Sequence, residues 1–233
     1  MTRQFRLSLS APPRWDRESF ASSPTNLEAL ESLDAWPAWP DGRLALVGPA
    51  GTGKTHLARD WALRTGAVTI KAASTGGEPL DLASLRGRPL LVEDADRRSE
   101  GDLVDDETLF HLINMAGVDG GCLLLTGRLA PVAWEAAVPD LRSRLNALTV
   151  ARIDAPDDVV LAAVLRRGFE AAGIRPASDL YPYLMARLPR SAPAALAAVT
   201  ALDEASIEQG REVNKALALA VLDFGDSEDE DEA

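Results

Sequence analysis

Between residues 44 and 150 the apolar residues gather in short unbroken runs, and after residue 156 they spread out to helical spacing. The runs are Leu44-Ala45-Leu46-Val47, Ala67-Val68-Thr69-Ile70, Leu90-Leu91-Val92, Cys122 to Thr126, and Leu148-Thr149-Val150. Runs this short, with little polar alternation, predict strands covered on both faces. Helical stretches are predicted between them. One covers Lys54 to Arg64, and a second carries Leu109, Leu112, Ile113 and Ala116 on one face and stops at Gly117 or at Gly120-Gly121. Strands alternating with helices predict an α/β fold built on a parallel five-stranded sheet. Past Pro156 the strand runs cease. Asp157 or Asp158 can cap a helix through Leu161, Leu165 and Phe169 to Gly173, and further helices are expected near Asp179–Leu188, Ala192–Gln209 and Glu212–Phe224. A small all-α unit should therefore follow the α/β unit, with the boundary near Ala155-Pro156. Residues 1–40 read as loop-like, with Pro12-Pro13, Trp36-Pro37 and Trp39-Pro40 and a short helix from Asn26 to Leu33.

Composition changes this picture in three places. The 36 acidic and 24 basic residues give a formal charge of −12, which argues against a broad DNA-binding face, because phosphate attraction needs a basic surface. Half of that charge sits in the last eight residues, six of them acidic, so residues 225–233 read as a solvated, disordered tail. The single cysteine, Cys122, permits no internal disulfide. With only His56 and His111 beside it there is no metal-ligand spacing, and a buried strand cysteine is expected. No run reaches the length of a membrane span. A reducing, cytoplasmic setting is expected.

The most specific chemistry is in Gly48-Pro49-Ala50-Gly51-Thr52-Gly53-Lys54-Thr55, a complete G-x-x-x-x-G-K-[ST] between a predicted strand and a predicted helix. Gly48, Gly51, Thr52 and Gly53 let backbone N–H groups turn around phosphates. Lys54 supplies a point charge, and the Thr55 hydroxyl can hold Mg2+. Glu93-Asp94 ends the third strand, where an acid can orient Mg2+ and its neighbour can position a water. The usual first acid is Asp, and Glu93 is one methylene longer. Thr126 ends the fourth strand, in reach of a terminal phosphate. Arg142 and Arg144, in Asp140-Leu141-Arg142-Ser143-Arg144-Leu145, could be plain surface or could reach a neighbour's nucleotide.

This order of P-loop, Glu93-Asp94, Thr126-Gly127, Leu141-Arg142-Ser143-Arg144 and a helical lid resembles the AAA+ module of the bacterial replication initiator DnaA. Phe20-Ala21-Ser22-Ser23-Pro24-Thr25-Asn26 looks like the flank that lines the adenine site in that family. The resemblance covers roughly residues 17–222. No basic helix-turn-helix follows the lid, and Gln4-Phe5-Arg6-Leu7-Ser8-Leu9 at the other end looks like a sliding-clamp docking peptide, with Gln4 at a pocket rim and Leu7 and Leu9 in apolar pockets. Together these resemble the Hda-like regulatory inactivators within the DnaA-related family.

The resemblance implies four parts: a flexible docking segment at 1–16, a nucleotide-binding α/β domain at 17–155, a lid at 156–224 and the tail. It also implies ADP or ATP with Mg2+ as cofactors, and the DNA-loaded sliding clamp (the DNA polymerase III beta subunit) and DnaA as partners. Direct specific DNA binding and membrane contact are not implied, and a homo-oligomer is compatible with it. On that reading Arg144 acts in trans as an arginine finger on DnaA-bound ATP, Asp94 and Thr126 serve the phosphate end, and Thr55 with Glu93 holds the metal. The family's lid arginine should fall near Pro193 or Ala194, and neither is basic. Either Arg190 substitutes for it or the contact is absent, so the chain's own ATPase is expected to be weak. The alternative is a self-contained P-loop ATPase of the helicase-loader type acting on single-stranded DNA.

Overall fold

The computed structural model describes residues 15, 17–75 and 79–222. The docking segment with Gln4, Leu7 and Leu9, and the acidic tail, lie outside the described residues. After a single 3-10 turn at Arg17–Ser19, helix α1 (Leu27–Asp34) leads into β1 (Arg43–Val47), α2 (Lys54–Thr65), β2 (Val68–Lys71), α3 (Leu82–Leu85) and β3 (Pro89–Glu93). Then come α4 (Asp106–Met115), β4 (Cys122–Gly127), α5 (Pro139–Asn146) and β5 (Val150–Arg152). The remaining helices are α6 (Asp158–Ala171), α7 (Leu180–Met185), α8 (Ala192–Gln209) and α9 (Lys215–Val221). The five strands are all parallel in the order β2-β3-β4-β1-β5.

The unbroken apolar runs are explained by what each face of the sheet meets. Ala45, Val47, Val92, Leu123 and Leu125 face one layer, where Leu109, Leu112 and Ile113 of α4 and Leu141 and Leu145 of α5 cover them. Leu44, Leu46, Leu91 and Leu124 face the other, against Leu30 and Leu33 of α1 and Leu57 and Trp61 of α2. Successive side chains point to opposite faces, so a strand covered twice must be apolar at every position. Cys122 is buried at the start of β4, and its Sγ accepts a hydrogen bond from Trp36 Nε1 at 3.1 Å. Burial raises the thiol's pKa, which suits an inert core cysteine.

Three elements depart from the expectation. The fifth strand runs over Val150–Arg152 rather than Leu148–Val150, because Leu148 packs into the α4–α5 layer while Ala151 and Ile153 enter the other. Helix α5 has only Leu141 and Leu145 as buried positions, too few to show a period, and Pro139 opens it. Two tryptophans of the stretch expected to be loop-like join the core, since Trp39 stacks on Trp61 at 5.2 Å and Trp36 meets the same ring edge-on at 6.4 Å.

Helices α6 to α9 hold a separate apolar cluster, with Leu165, Phe169, Leu180, Leu184, Leu202 and Leu217 at its centre. Asp157 caps α6 through the Val160 N–H at 2.9 Å. Phe169 is fully buried and meets Tyr181 edge-on at 5.9 Å. Phe169→Ala should therefore cost about 3–5 kcal/mol of stability, measured as a lowered urea midpoint. A loss below about 1 kcal/mol would mean that this cluster is not closely packed. Among the described residues no helix is long and apolar enough to cross a membrane.

Candidate nucleotide site

The loop between β1 and α2 is shaped by what presses on its glycines. A Cβ on Gly48 would lie 2.1 Å from the Ile153 carbonyl oxygen, so the end of β5 can pass only against a residue without a side chain. Gly51 (φ +77°) and Gly53 (φ +96°) take left-handed conformations that favour glycine. A Cβ on Gly51 would meet Ser191 Cβ at 2.7 Å, and one on Gly53 would meet Phe20 Cε2 at 2.6 Å. The lid and the N-terminal flank thus both close on this loop. Thr52 is buried and its hydroxyl donates to the Pro49 carbonyl at 3.1 Å.

Lys54 is buried and folded back on the loop, its Nζ donating to the carbonyls of Gly48 at 2.6 Å and Pro49 at 2.7 Å. Burial lowers its pKa, the nearby charges of Asp96 and Asp94 oppose that shift, and Arg128 adds to it. Thr55 is exposed in the first turn of α2. Thr126 is fully buried, and its Oγ1 accepts the Asp94 backbone N–H at 2.9 Å, which leaves the hydroxyl proton free to donate. Asp94 itself sits in a left-handed conformation at φ +55°, turning the chain sharply after β3.

On the flank, Asn26 Oδ1 accepts the Ser23 N–H at 3.0 Å, and its amide donates to the Ala21 carbonyl at 2.9 Å. The Asp154 N–H donates to the Thr25 carbonyl at 2.9 Å, which ties the flank to the end of β5. Phe20 lies 5.4 Å from the His56 ring beside the start of α2.

No protein-family model matches the chain, and no curated protein does. Solved structures do match. Domain III of the Thermotoga maritima replication initiation protein DnaA aligns with TM-score 0.72 and 19% identity over 91% of this chain and 96% of that one. A replication initiator DnaA bound to AMPPCP and single-stranded DNA aligns with TM-score 0.64 and 17% identity, over 85% of this chain and 69% of that one. The Thermotoga maritima RuvB Holliday junction branch migration motor aligns with TM-score 0.65 and 16% identity, over 89% and 70%. The chain has the AAA+ fold.

Within this AAA+ module the sequence-derived residues separate into three groups. The loop residues, Asp94 and Thr126 come together at the carboxyl end of the sheet, as the strand order requires. Glu93 is buried beside them but engaged: Arg59 of α2 forks onto it, Nε to Oε1 at 3.3 Å and Nη2 to Oε2 at 2.9 Å. Arg190 is not on the loop. It donates to Asp158 Oδ1 at 2.7 Å, at the start of α6.

The first turn of α8 offers phosphate little else. The Ala192 N–H donates to the Gly51 carbonyl at 3.0 Å, Pro193 has no N–H, and the Ala194 N–H donates to Ser191 Oγ at 3.2 Å. The lid helix thus rests on the loop with its first donors already satisfied.

Arg144 is exposed on α5. Its charge reaches Arg43, the first residue of β1, whose pKa is lowered mainly by burial, against Asp41, with Arg144 adding to the lowering. Five residues at about 3.3 Å each place Arg43 roughly 16 Å from Gly48 at the other end of β1. A buried Arg98 side chain pairs with Asp106 Oδ1 at 2.7 Å, while Asp106 Oδ2 accepts the Ala137 N–H at 2.6 Å, and this fixes the approach to α5.

Three residues escaped the sequence reading. Asp96 Oδ2 accepts the Arg128 N–H at 2.6 Å, while its buried Oδ1 has no hydrogen-bond partner among the described residues. An orphaned carboxylate oxygen suits a cation, so Asp96 joins Thr55 and Glu93 as a residue that would hold Mg2+. Arg128 adds a positive charge beside Lys54. Arg59 carries no motif, and its role depends on a partner 34 positions away.

Proposed function

We propose that this protein is an adenine-nucleotide-binding regulator of replication initiation. On this reading it docks on the DNA-loaded sliding clamp and prompts hydrolysis of the ATP held by DnaA. One observation carries the reading: a DnaA-like AAA+ fold presents an exposed arginine, Arg144, on α5, with no ion pair among the described residues. A guanidinium so placed serves another chain's nucleotide, where it stabilises charge developing on the transferred phosphoryl group. The chain's own nucleotide is held by the loop amides, Lys54 and Thr55, with Phe20 and the flank on the base side. Mg2+, when bound there, supplies charge neutralisation at the phosphates.

Slow turnover by the chain itself is consistent with the site. Glu93 is occupied by Arg59, the lid has no cation at Pro193, and Arg190 is engaged with Asp158. The same three features disfavour a self-contained ATPase of the helicase-loader type. A regulator of this kind acts in the cytoplasm, at the nucleoid.

The deciding assay is hydrolysis of DnaA-bound ATP, followed with this protein present, with and without clamp loaded on DNA. Acceleration only with both supports the reading, and DNA-stimulated turnover without DnaA points to the loader type. Docking is tested separately. Gln4→Ala combined with Leu7→Ala and Leu9→Ala should lower clamp affinity by about 10²-fold or more in pull-down and calorimetry, since a docking peptide's affinity concentrates in a few anchors. ADP affinity should not change. A triple variant that still binds clamp like the parent removes the docking segment from the scheme.

A further inference from the structure

Glu93 and Arg59 are unequal partners. The Glu93 side chain is 8% exposed and the Arg59 side chain 42%. A buried carboxylate is costly unless a cation accompanies it, whereas a half-exposed guanidinium can return to solvent. Both oxygens of Glu93 are taken by the fork, so the acid at the end of β3 already has its cation before any metal arrives.

Arg59 is itself braced. Its guanidinium lies over the Trp15 ring at 5.2 Å, and the same ring meets His56 edge-on at 5.6 Å. Trp15, Arg59, Leu63 and Thr69 line one cleft, so the arginine that forks onto Glu93 also borders open space. Glu93 thus has two cations within its chemistry, Arg59 and the metal that accompanies a nucleotide on the loop, and the fork admits one at a time.

We propose that Arg59 is a positioning residue that competes with nucleotide-bound Mg2+ for Glu93, and that Trp15 holds it in the competing position. This rests on the nucleotide-binding reading of the loop given above. With Arg59 in place, metal adds little to nucleotide binding, and the chain holds nucleotide without turning it over. With Arg59 displaced, Glu93 regains the metal and binding becomes metal-dependent.

The experiment is calorimetry of ADP binding to the full chain, in Mg2+ and in EDTA, for the parent, R59M, R59K, W15A and the double variant R59M/E93Q. The ratio of the two affinities should be small in the parent and widen by about tenfold or more in R59M, within the usual range of coupling between two ligands. R59K keeps the charge and should stay near the parent. R59M/E93Q has no acid to free and should return to the parental ratio. A purely structural role for Arg59 would weaken ADP binding equally with and without metal, and that result overturns the proposal. If R59M is too unstable to measure, W15A decides, since it leaves both charges in place and must widen the ratio in the same direction. A parent that binds no ADP in either condition overturns the nucleotide reading and this proposal together. ADP binding with an unchanged ratio overturns this proposal alone.

Discussion

Arg144→Ala should reduce stimulation of DnaA-bound ATP hydrolysis by about 10³-fold or more, the range in which arginine fingers supplied in trans act. The reason lies in where α5 sits. Arg144 is exposed on α5 and carries no ion pair among the described residues, so its charge is available to another molecule. Helix α5 owes its place to Leu141 and Leu145 in the core and to the Arg98–Asp106 pair, none of which the substitution touches. The variant should therefore keep its fold, its ADP affinity and its clamp affinity, and lose only the effect on the partner. Arg144→Lys should recover little, because an ammonium lacks the planar fork. The measurement is single-turnover hydrolysis on preloaded DnaA. Stimulation within about threefold of the parent would take Arg144 out of the mechanism.

Lys54→Ala should lower ADP affinity by roughly 10²-fold, which corresponds to the loss of one or two hydrogen bonds to a charged group at about 1.5–3 kcal/mol each. Lys54 is folded onto the carbonyls of Gly48 and Pro49 and must turn toward the phosphates to act. Burial lowers its pKa while Asp96 and Asp94 pull the other way, so those two acids keep a charged ammonium tenable in a partly desolvated site. Calorimetry with ADP checks the loss directly. Affinity within about threefold of the parent would mean that the loop does not engage phosphate through this lysine.

How much of this was legible in the sequence follows from the range of the interactions involved. The loop from Gly48 to Thr55 was readable because its function is local: one strand end, one turn and one helix start set every atom. Asp94 and Thr126 were readable as strand ends once the sheet was known to be parallel. Asp96 was not, because its meaning comes from the Arg128 N–H just after β4 and from Lys54 at the start of α2. The Arg59–Glu93 fork joins residues 34 apart across a helix and a strand, and nothing in either run announces it. Trp36 and Trp39 sat beside prolines and read as loop, yet their rings close over Trp61 and belong to the core. Position 190 offered the right charge near the lid, and Asp158 holds it elsewhere.

The contact between the Ala192 N–H and the Gly51 carbonyl has a consequence of its own. Donor and acceptor are both main-chain atoms, so at position 192 the joint is indifferent to almost every side chain except proline, while at position 51 only glycine leaves room for Ser191. A basic side chain in the first turn of α8 would have offered the phosphates a charge, and the main-chain joint links the lid only to the loop's position. The lid can then follow the loop mechanically as nucleotide comes and goes, while taking no part in breaking a bond.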